Sequence, residues 1–300
     1  MLTADEVRAA LPTAHREIVD GLLAFAAADA RFRFIELCCS AARGAADELS
    51  DLDLGLGVRD DAWPEATAAI LPALRGLGEV VDALEHRIPE WGERPHLRVF
   101  VQYGSGPQLD LVALPADSRA GLPPGSVPLY DPDGRLAKPM DPPIRRATAA
   151  DVAEWTFLGW VALLDLDKYL RRGSAWEALE RLHEARGYVW RLIAVASGVE
   201  YPAYGITSLL DAPGDPAIPA EMSETTATLD VARLTTAARV LAGRLEAASA
   251  AAGGAAGEPP DHRRLAAYAM ERLSQSARST LRSGRGPGCR AASRPRSPTR

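Results

Sequence analysis

Apolar residues return at helical spacing from residue 3 to about residue 30, and Thr3-Ala-Asp-Glu6 opens the run as a capping box. Pro12 is the point at which that helix can break. Apolar and β-branched runs then predict strands at about 32–39, 51–57, 79–85, 97–103 and 108–114. Helical patterns cover about 42–48 and 63–76, the second starting near Trp63-Pro64. A connection rich in Pro and Gly at 115–143 carries the turn signal Asp133-Gly134 and reads as a hairpin or a wrap around the sheet, then a domain boundary.

From residue 148 onward strand signals largely stop. Val152, Trp155, Gly159, Ala162, Leu166 and Leu170 keep helical spacing up to a stop at Gly173. Ser174-Ala-Trp-Glu177 is a second capping box, opening a helix that runs to about Ser197. A Pro-rich connection at 212–219 precedes a third helix at about 223–251; AAGGAAGEPP at 251–260 breaks it, and Asp261 caps a last one reaching about 281. No internal repeat is apparent. The pattern predicts an α+β chain: a small mixed sheet flanked by helices over 1–143, an all-α antiparallel bundle over 144–282, and a disordered basic tail at 283–300.

Composition narrows the classes. At 300 residues, 47% hydrophobic and 25% charged, the chain has ordinary globular proportions. A net charge of −6 argues against a large nucleic-acid footprint, which demands basic surface. The amino-terminal segment is acidic and amphipathic rather than basic then apolar, and no apolar run approaches a membrane span, so a cytoplasmic protein is expected. Cys38, Cys39 and Cys289 are an odd count; the first two, adjacent in a predicted core strand, read as buried reduced thiols. The tail holds five arginines and no acids and cannot bury enough apolar surface to fold alone.

The candidate chemistry lies in the first half. Residues 34–58 read FIELCCSAARGAADELSDLDLGLGV, and 108–114 read QLDLVAL. Asp51 and Asp53 alternate with Leu52, Leu54 and Leu56, so a strand period of two sets both carboxylates on one face. Converging carboxylates repel unless a cation joins them, and hard oxygen ligands suit Mg²⁺. Asp110 lies in an otherwise apolar strand, where an unpartnered charge is costly. One metal cluster would account for all three aspartates. The plainer alternative is a half-exposed strand with a solvated acidic face. The upstream turn favours the cluster: Ser40 and Arg43-Gly44 lie between an apolar strand and a short helix, where free backbone N–H groups suit phosphate.

At these residues the chain resembles the nucleotidyltransferase superfamily that includes polymerase β, and within it the aminoglycoside- and lincosamide-type antibiotic nucleotidyltransferases. The family pattern runs Gly-Ser, an Arg-Gly turn, Ser-Asp-x-Asp-Leu and a lone acid on a later strand. Ser40, Arg43, Gly44, Ser50, Asp51, Asp53, Leu54 and Asp110 match it, and the resemblance covers about 30–140, including LYDPDGRLA at 129–137. Cys39 stands where the family has glycine, whose missing side chain lets backbone approach phosphates closely.

The resemblance implies Mg²⁺-dependent transfer of a nucleoside monophosphate, AMP in the favoured reading, from a nucleoside triphosphate to a hydroxyl of an aminoglycoside-like small molecule. Two Mg²⁺ ions would be held by Asp51, Asp53 and Asp110, with Asp110 or an acid of the helical domain as base. Ser40, Arg43, Gly44 and Ser50 are the first domain's nucleotide-binding candidates. Lys168 is the helical domain's candidate, against the alternative of a lysine paired with a neighbouring acid. Asp165 and Asp167 read as a solvated face before a base or anchor, and Trp155, Trp160, Trp176 and Trp190 as core. His86, His96 and His183 lack zinc spacing. Two further readings stay open: a toxin–antitoxin-type enzyme acting on a protein side chain, and a catalytically degenerate nucleotide-binding module. The long helical domain weighs against the first and the intact aspartates against the second. Acceptor identity and oligomeric state are left undetermined.

Overall fold

The computed structural model describes residues 2–91, 94–141, 146–212, 214 and 218–283, with the side chains of 89–91, 94 and 276–283 excepted. The chain divides into two compact units, Met1–Pro142 and Pro143–Arg300. Of the expected tail at 283–300, everything from 284 onward, with Cys289, lies outside the described residues.

In the first unit, α1 (Ala4–Ala10) starts at the Thr3–Glu6 capping box, and Leu11 turns extended before Pro12, so α2 (Thr13–Ala27) is a separate helix. Then follow β1 (Phe32–Leu37), α3 (Cys39–Ala42), β2 (Leu52–Val58), α4 (Trp63–Arg75), β3 (Val80–Trp91), β4 (Arg94–Tyr103), β5 (Gln108–Pro115) and β6 (Val127–Tyr130). The six strands form one sheet in the order β3-β4-β5-β2-β1-β6. Every neighbouring pair is antiparallel except β2 with β5, which makes the sheet mixed.

Period-two alternation sorts the two faces. Ile35 and Leu37 of β1, Leu52, Leu54 and Leu56 of β2, and Leu109 and Leu111 of β5 join Ile18, Val19 and Leu22 of α2 and Ile70 and Leu74 of α4 in one core. The other face carries Asp53, Gly55 and Gly57 of β2, registered with Asp110, Val112 and Leu114 of β5. A smaller cluster there joins Phe34, Leu114, Ala116 and Leu136. The two glycines make room: a Cβ on Gly57 would meet the Phe34 ring at 2.2 Å, and one on Gly55 would meet Glu36 Oε1 at 2.4 Å.

Two local expectations are corrected. The helix at 42–48 does not form, because α3 ends at Ala42 and Gly44 takes φ +70°. Of the two readings of the connection at 115–143, the hairpin does not form at Asp133-Gly134: β6 ends at Tyr130, and Asp131 closes a turn by accepting from the backbone N–H groups of Arg135 at 2.8 Å and Leu136 at 2.7 Å.

The second unit is helical: α5 (Ala149–Arg171), α6 (Ala175–Ala196), the short α7 (Ile206–Asp211), α8 (Val231–Ala256) and α9 (Arg263–Ser283). Helices α5, α6 and α8 pack mutually, and α9 lies on α5 and α8. Their contacts bury Trp160, Leu163, Leu182, Val189, Leu241 and Leu245 in one core. Gly159 admits Leu245, whose Cδ1 lies 2.9 Å from where a Cβ would stand. The helix does break within 251–260, but a few residues later than 251: α8 runs through Gly253-Gly254 to Ala256, Gly257 caps it, and the gap left by Gly253 is filled by Pro259 and Pro260. Trp176, expected in the core, is 72% exposed. Among the described residues no helix is long and apolar enough to cross a membrane.

Candidate active site

The parallel pairing of β2 with β5 sets Asp53 directly beside Asp110. Neighbouring strands lie about 4.8 Å apart, so the two carboxylates rise from one face as near neighbours. Asp51 sits just before the first residue of β2 and is exposed, so it flanks the pair from the strand's approach rather than from within the strand.

The turn before β2 is tied down at several points. The Cys38 N–H donates to the Asp53 carbonyl at 2.9 Å, continuing the β1–β2 pairing by one residue. Cys39 then takes φ 57°, a left-handed conformation, and opens α3, with Ser40 next and Arg43 at its carboxyl end. This corrects the expectation of two buried thiols: Cys39 is exposed and neither cysteine lies in the strand. Ser50, a nucleotide-binding candidate, has structural duties. Its hydroxyl donates to Asp47 Oδ1 at 3.0 Å, and its carbonyl accepts from the buried His15 ring at 2.7 Å.

Electrostatics around Asp53 reflect crowding of like charge. Burial holds its carboxyl above the usual carboxylate range, and the charges of Asp51 and Asp110 push the same way. A hydrogen bond with the Cys39 thiol and the charge of Arg98 oppose the rise. The thiol is the donor there, and burial together with Asp53 raises it far above an ordinary cysteine.

Asp110 is not the unpartnered charge its strand suggests. From β4, Arg98 Nε donates to Asp110 Oδ1 at 2.9 Å while Nη2 bonds Oδ2, a two-pronged ion pair. The Arg98 guanidinium also lies 4.4 Å from the centroid of the Phe100 ring. Sequence reading missed Arg98, although the alternation Leu97-Arg98-Val99-Phe100-Val101 sets Arg98 and Phe100 off from the buried Leu97, Val99 and Val101.

A second ion pair lies on this face, and it too was missed. Glu36 is 2% exposed and bonds Arg119 from the connection after β5, leaving Glu36 Oε2 and Arg119 Nε buried without partners. Burial pushes the Glu36 carboxyl up to about 7, against the pull of Arg119. Next to it, burial and the negative charge of Glu36 push the Cys38 thiol up to about 12.

Lys168 belongs to the other unit, on α5. Its ammonium pairs with Asp165 at 2.5 Å and lies 4.7 Å from the Tyr169 ring centroid, the paired-lysine alternative in physical form. Asp167 is no solvated acid. It is 1% exposed and held by Arg171 at 2.8 Å and by Arg272 of α9 at 3.0 Å.

The donor set at 51, 53 and 110 consists of hard carboxylate oxygens, the chemistry a divalent cation of the Mg²⁺ class accepts, and the mutual repulsion at Asp53 is what such a cation relieves. As the side chains stand, no group of three His, Cys, Asp or Glu among the described residues is close enough to hold a metal. The set fits the ion in chemistry, and a bound ion would share Asp110 with Arg98.

No protein-family model matches the chain, and no curated protein matches it in sequence. Among solved structures it is similar to an aminoglycoside 6-adenyltransferase from Bacillus subtilis, with 17% identity and a TM-score of 0.41 over 89% of this chain and 99% of the other. A nucleotidyltransferase-like protein from Exiguobacterium sibiricum 255-15 is similar at 14% identity and a TM-score of 0.34, over 89% of this chain and 91% of the other. Likeness this distant decides nothing about a reaction.

Proposed function

We propose that the chain is a nucleotidyltransferase of the polymerase β type, moving a nucleoside monophosphate, AMP first among the candidates, from a triphosphate to a hydroxyl of a small molecule. The observation that carries this reading is the registered pair Asp53 and Asp110, with Asp51 flanking it and the Ser40–Gly44 turn leading into it. Asp51, Asp53 and Asp110 would hold Mg²⁺, which supplies neutralisation of phosphate charge when bound. Ser40 and the backbone around Gly44 would hold the β- and γ-phosphates, with Arg43 adding positive charge. In the transfer, the acceptor oxygen bonds to the α-phosphorus, the bond to the bridging oxygen of the β-phosphate breaks, and pyrophosphate leaves. The hydroxyl proton passes to Asp110 or to an acid of the helical unit. Lys168 is the helical unit's proposed cation for the triphosphate, a role that requires it to release Asp165. The acidic net charge of −6 favours a small acceptor, an aminoglycoside-like amino sugar among them, over nucleic acid, and a cytoplasmic setting is part of the same reading.

The test is pyrophosphate release from labelled ATP and Mg²⁺ across a panel of hydroxylated amino sugars. Asp53→Asn and Asp51→Asn should each cost more than ~10³-fold in rate, the loss of several kcal/mol of transition-state stabilisation. Near-normal turnover by either variant would sink the carboxylate reading. A degenerate nucleotide-binding module is the second reading, favoured by Arg98 occupying Asp110 and by Cys39 at the expected glycine. It predicts ATP binding with no pyrophosphate released for any acceptor.

A further inference from the structure

The acidic face already holds a cation, and the chain itself supplies it. Both oxygens of Asp110 are taken by the planar fork of Arg98, through Nε at 2.9 Å and through Nη2. Phe100, directly across from Asp110 in the β4–β5 register, supports the guanidinium from below at 4.4 Å. The Asp110 side chain is 15% exposed. The same positive charge acts on Asp53 as well, opposing its repulsion by Asp51 and Asp110. A guanidinium in this position offsets part of the negative charge that a divalent ion would otherwise neutralise.

We propose that Arg98 lowers the divalent-cation affinity of this site in the free protein by competing with the metal for Asp110. The proposal rests on the reading of Asp51, Asp53 and Asp110 as the metal ligands. An incoming ion meets a like charge beside one of its ligands and competes with the guanidinium for the Asp110 carboxylate. The negative charge of a triphosphate tips that balance, since it attracts the metal and gives Arg98 another anion to face. Arg98 therefore acts through Asp110, as a positioning residue whose charge offsets that of Asp110 when no metal is bound.

The test uses the full chain without nucleotide, titrated with Mn²⁺ and followed by electron paramagnetic resonance of the free ion. Arg98→Gln should bind Mn²⁺ roughly tenfold tighter than the native chain, the effect of removing one nearby like charge. Arg98→Lys, which keeps the charge, should bind no tighter than native, and Asp53→Asn should weaken binding in every background. If Asp53→Asn weakens binding while Arg98→Gln is no tighter than native, the competition is refuted and the metal site stands. If Asp53→Asn changes nothing, the ligand reading fails and the competition falls with it. Should Arg98→Gln fail to fold, the native chain still decides: the Arg98 Nε–H resonance must shift on saturation with Mg²⁺, and an unmoved resonance at saturation overturns the proposal.

Discussion

At Cys39 the backbone takes φ 57°, a conformation that costs a non-glycine residue about 1–2 kcal/mol. That strain gives a physical reason for glycine at this point of the family pattern, beyond the room it leaves for phosphate. Cys39 is exposed as a residue, so removing its side chain leaves at most a shallow surface gap, although the thiol itself is partly covered beside Asp53. Cys39→Gly is therefore expected to hold thermal stability within about 1 kcal/mol, strain relief offsetting glycine's entropy, while calorimetry reports tighter ATP–Mg²⁺ binding. A stability loss well beyond that would show that the thiol's bond to Asp53 holds the turn. Glu36 supplies the pH dependence at this scale. Its carboxyl is raised by burial from its ordinary 4.5 to about 7, so the folded chain keeps a proton that the unfolded chain releases. Its contribution is then free of penalty below about pH 4.5, erodes as pH rises through that window, and is fully adverse above pH 7, by about 3 kcal/mol. Denaturant unfolding of the native chain against Glu36→Gln should show the difference between them growing from pH 4.5 to 7. A constant difference over that range would mean Arg119 keeps the carboxylate ionised throughout.

Strand β2 shows how an element is shaped by the side chain of its neighbour. Gly55 lies under Glu36 and Gly57 under Phe34, each closer than any Cβ tolerates. Gly55→Ala should cost about 1–3 kcal/mol, the range for forcing bulk into packed space, and should displace Glu36 from Arg119. Gly187 of α6 is the contrast, with nothing within 4 Å of an added Cβ. Gly187→Ala should stabilise by about 0.5–1 kcal/mol through helix propensity alone. Chemical denaturation of both variants tests the pair, and equal effects would contradict the packing account. Helix ends were readable where a short polar motif closes on its own backbone, as at Thr3–Glu6. The end of α8 was misplaced by a few residues where the chain just beyond folds back on the helix, as at Gly253, which Pro259 and Pro260 cover.

At the scale of the molecule, the helical core is built entirely from residues of the second unit, from Val152 to Leu273. A segment with a complete core of its own should fold alone. Residues 146–283 expressed separately are expected to give a helical circular-dichroism spectrum and a single cooperative melt. A broad, non-cooperative transition would show that this core is incomplete without the first unit.

The alternation of Leu52, Leu54 and Leu56 with Asp53 was enough to say which side of β2 faces the helices, because side-chain direction in a strand is local. The same local logic carried the α+β division and the helices α5 and α6. It did not carry strand order. Asp110 stands beside Asp53 because β5 inserts between β4 and β2, and Arg98 reaches Asp110 because β4 is the other neighbour. An isolated aspartate in an apolar strand announces that it needs a partner, yet whether that partner is a metal or an arginine depends on which strands lie next to it. Nor could local pattern distinguish Asp167 on a wet face from Asp167 under Arg272, since the arginine arrives on a helix far along the chain. Residue type and spacing determined which groups could do chemistry; the pairing of distant strands and helices decided which of them are already engaged.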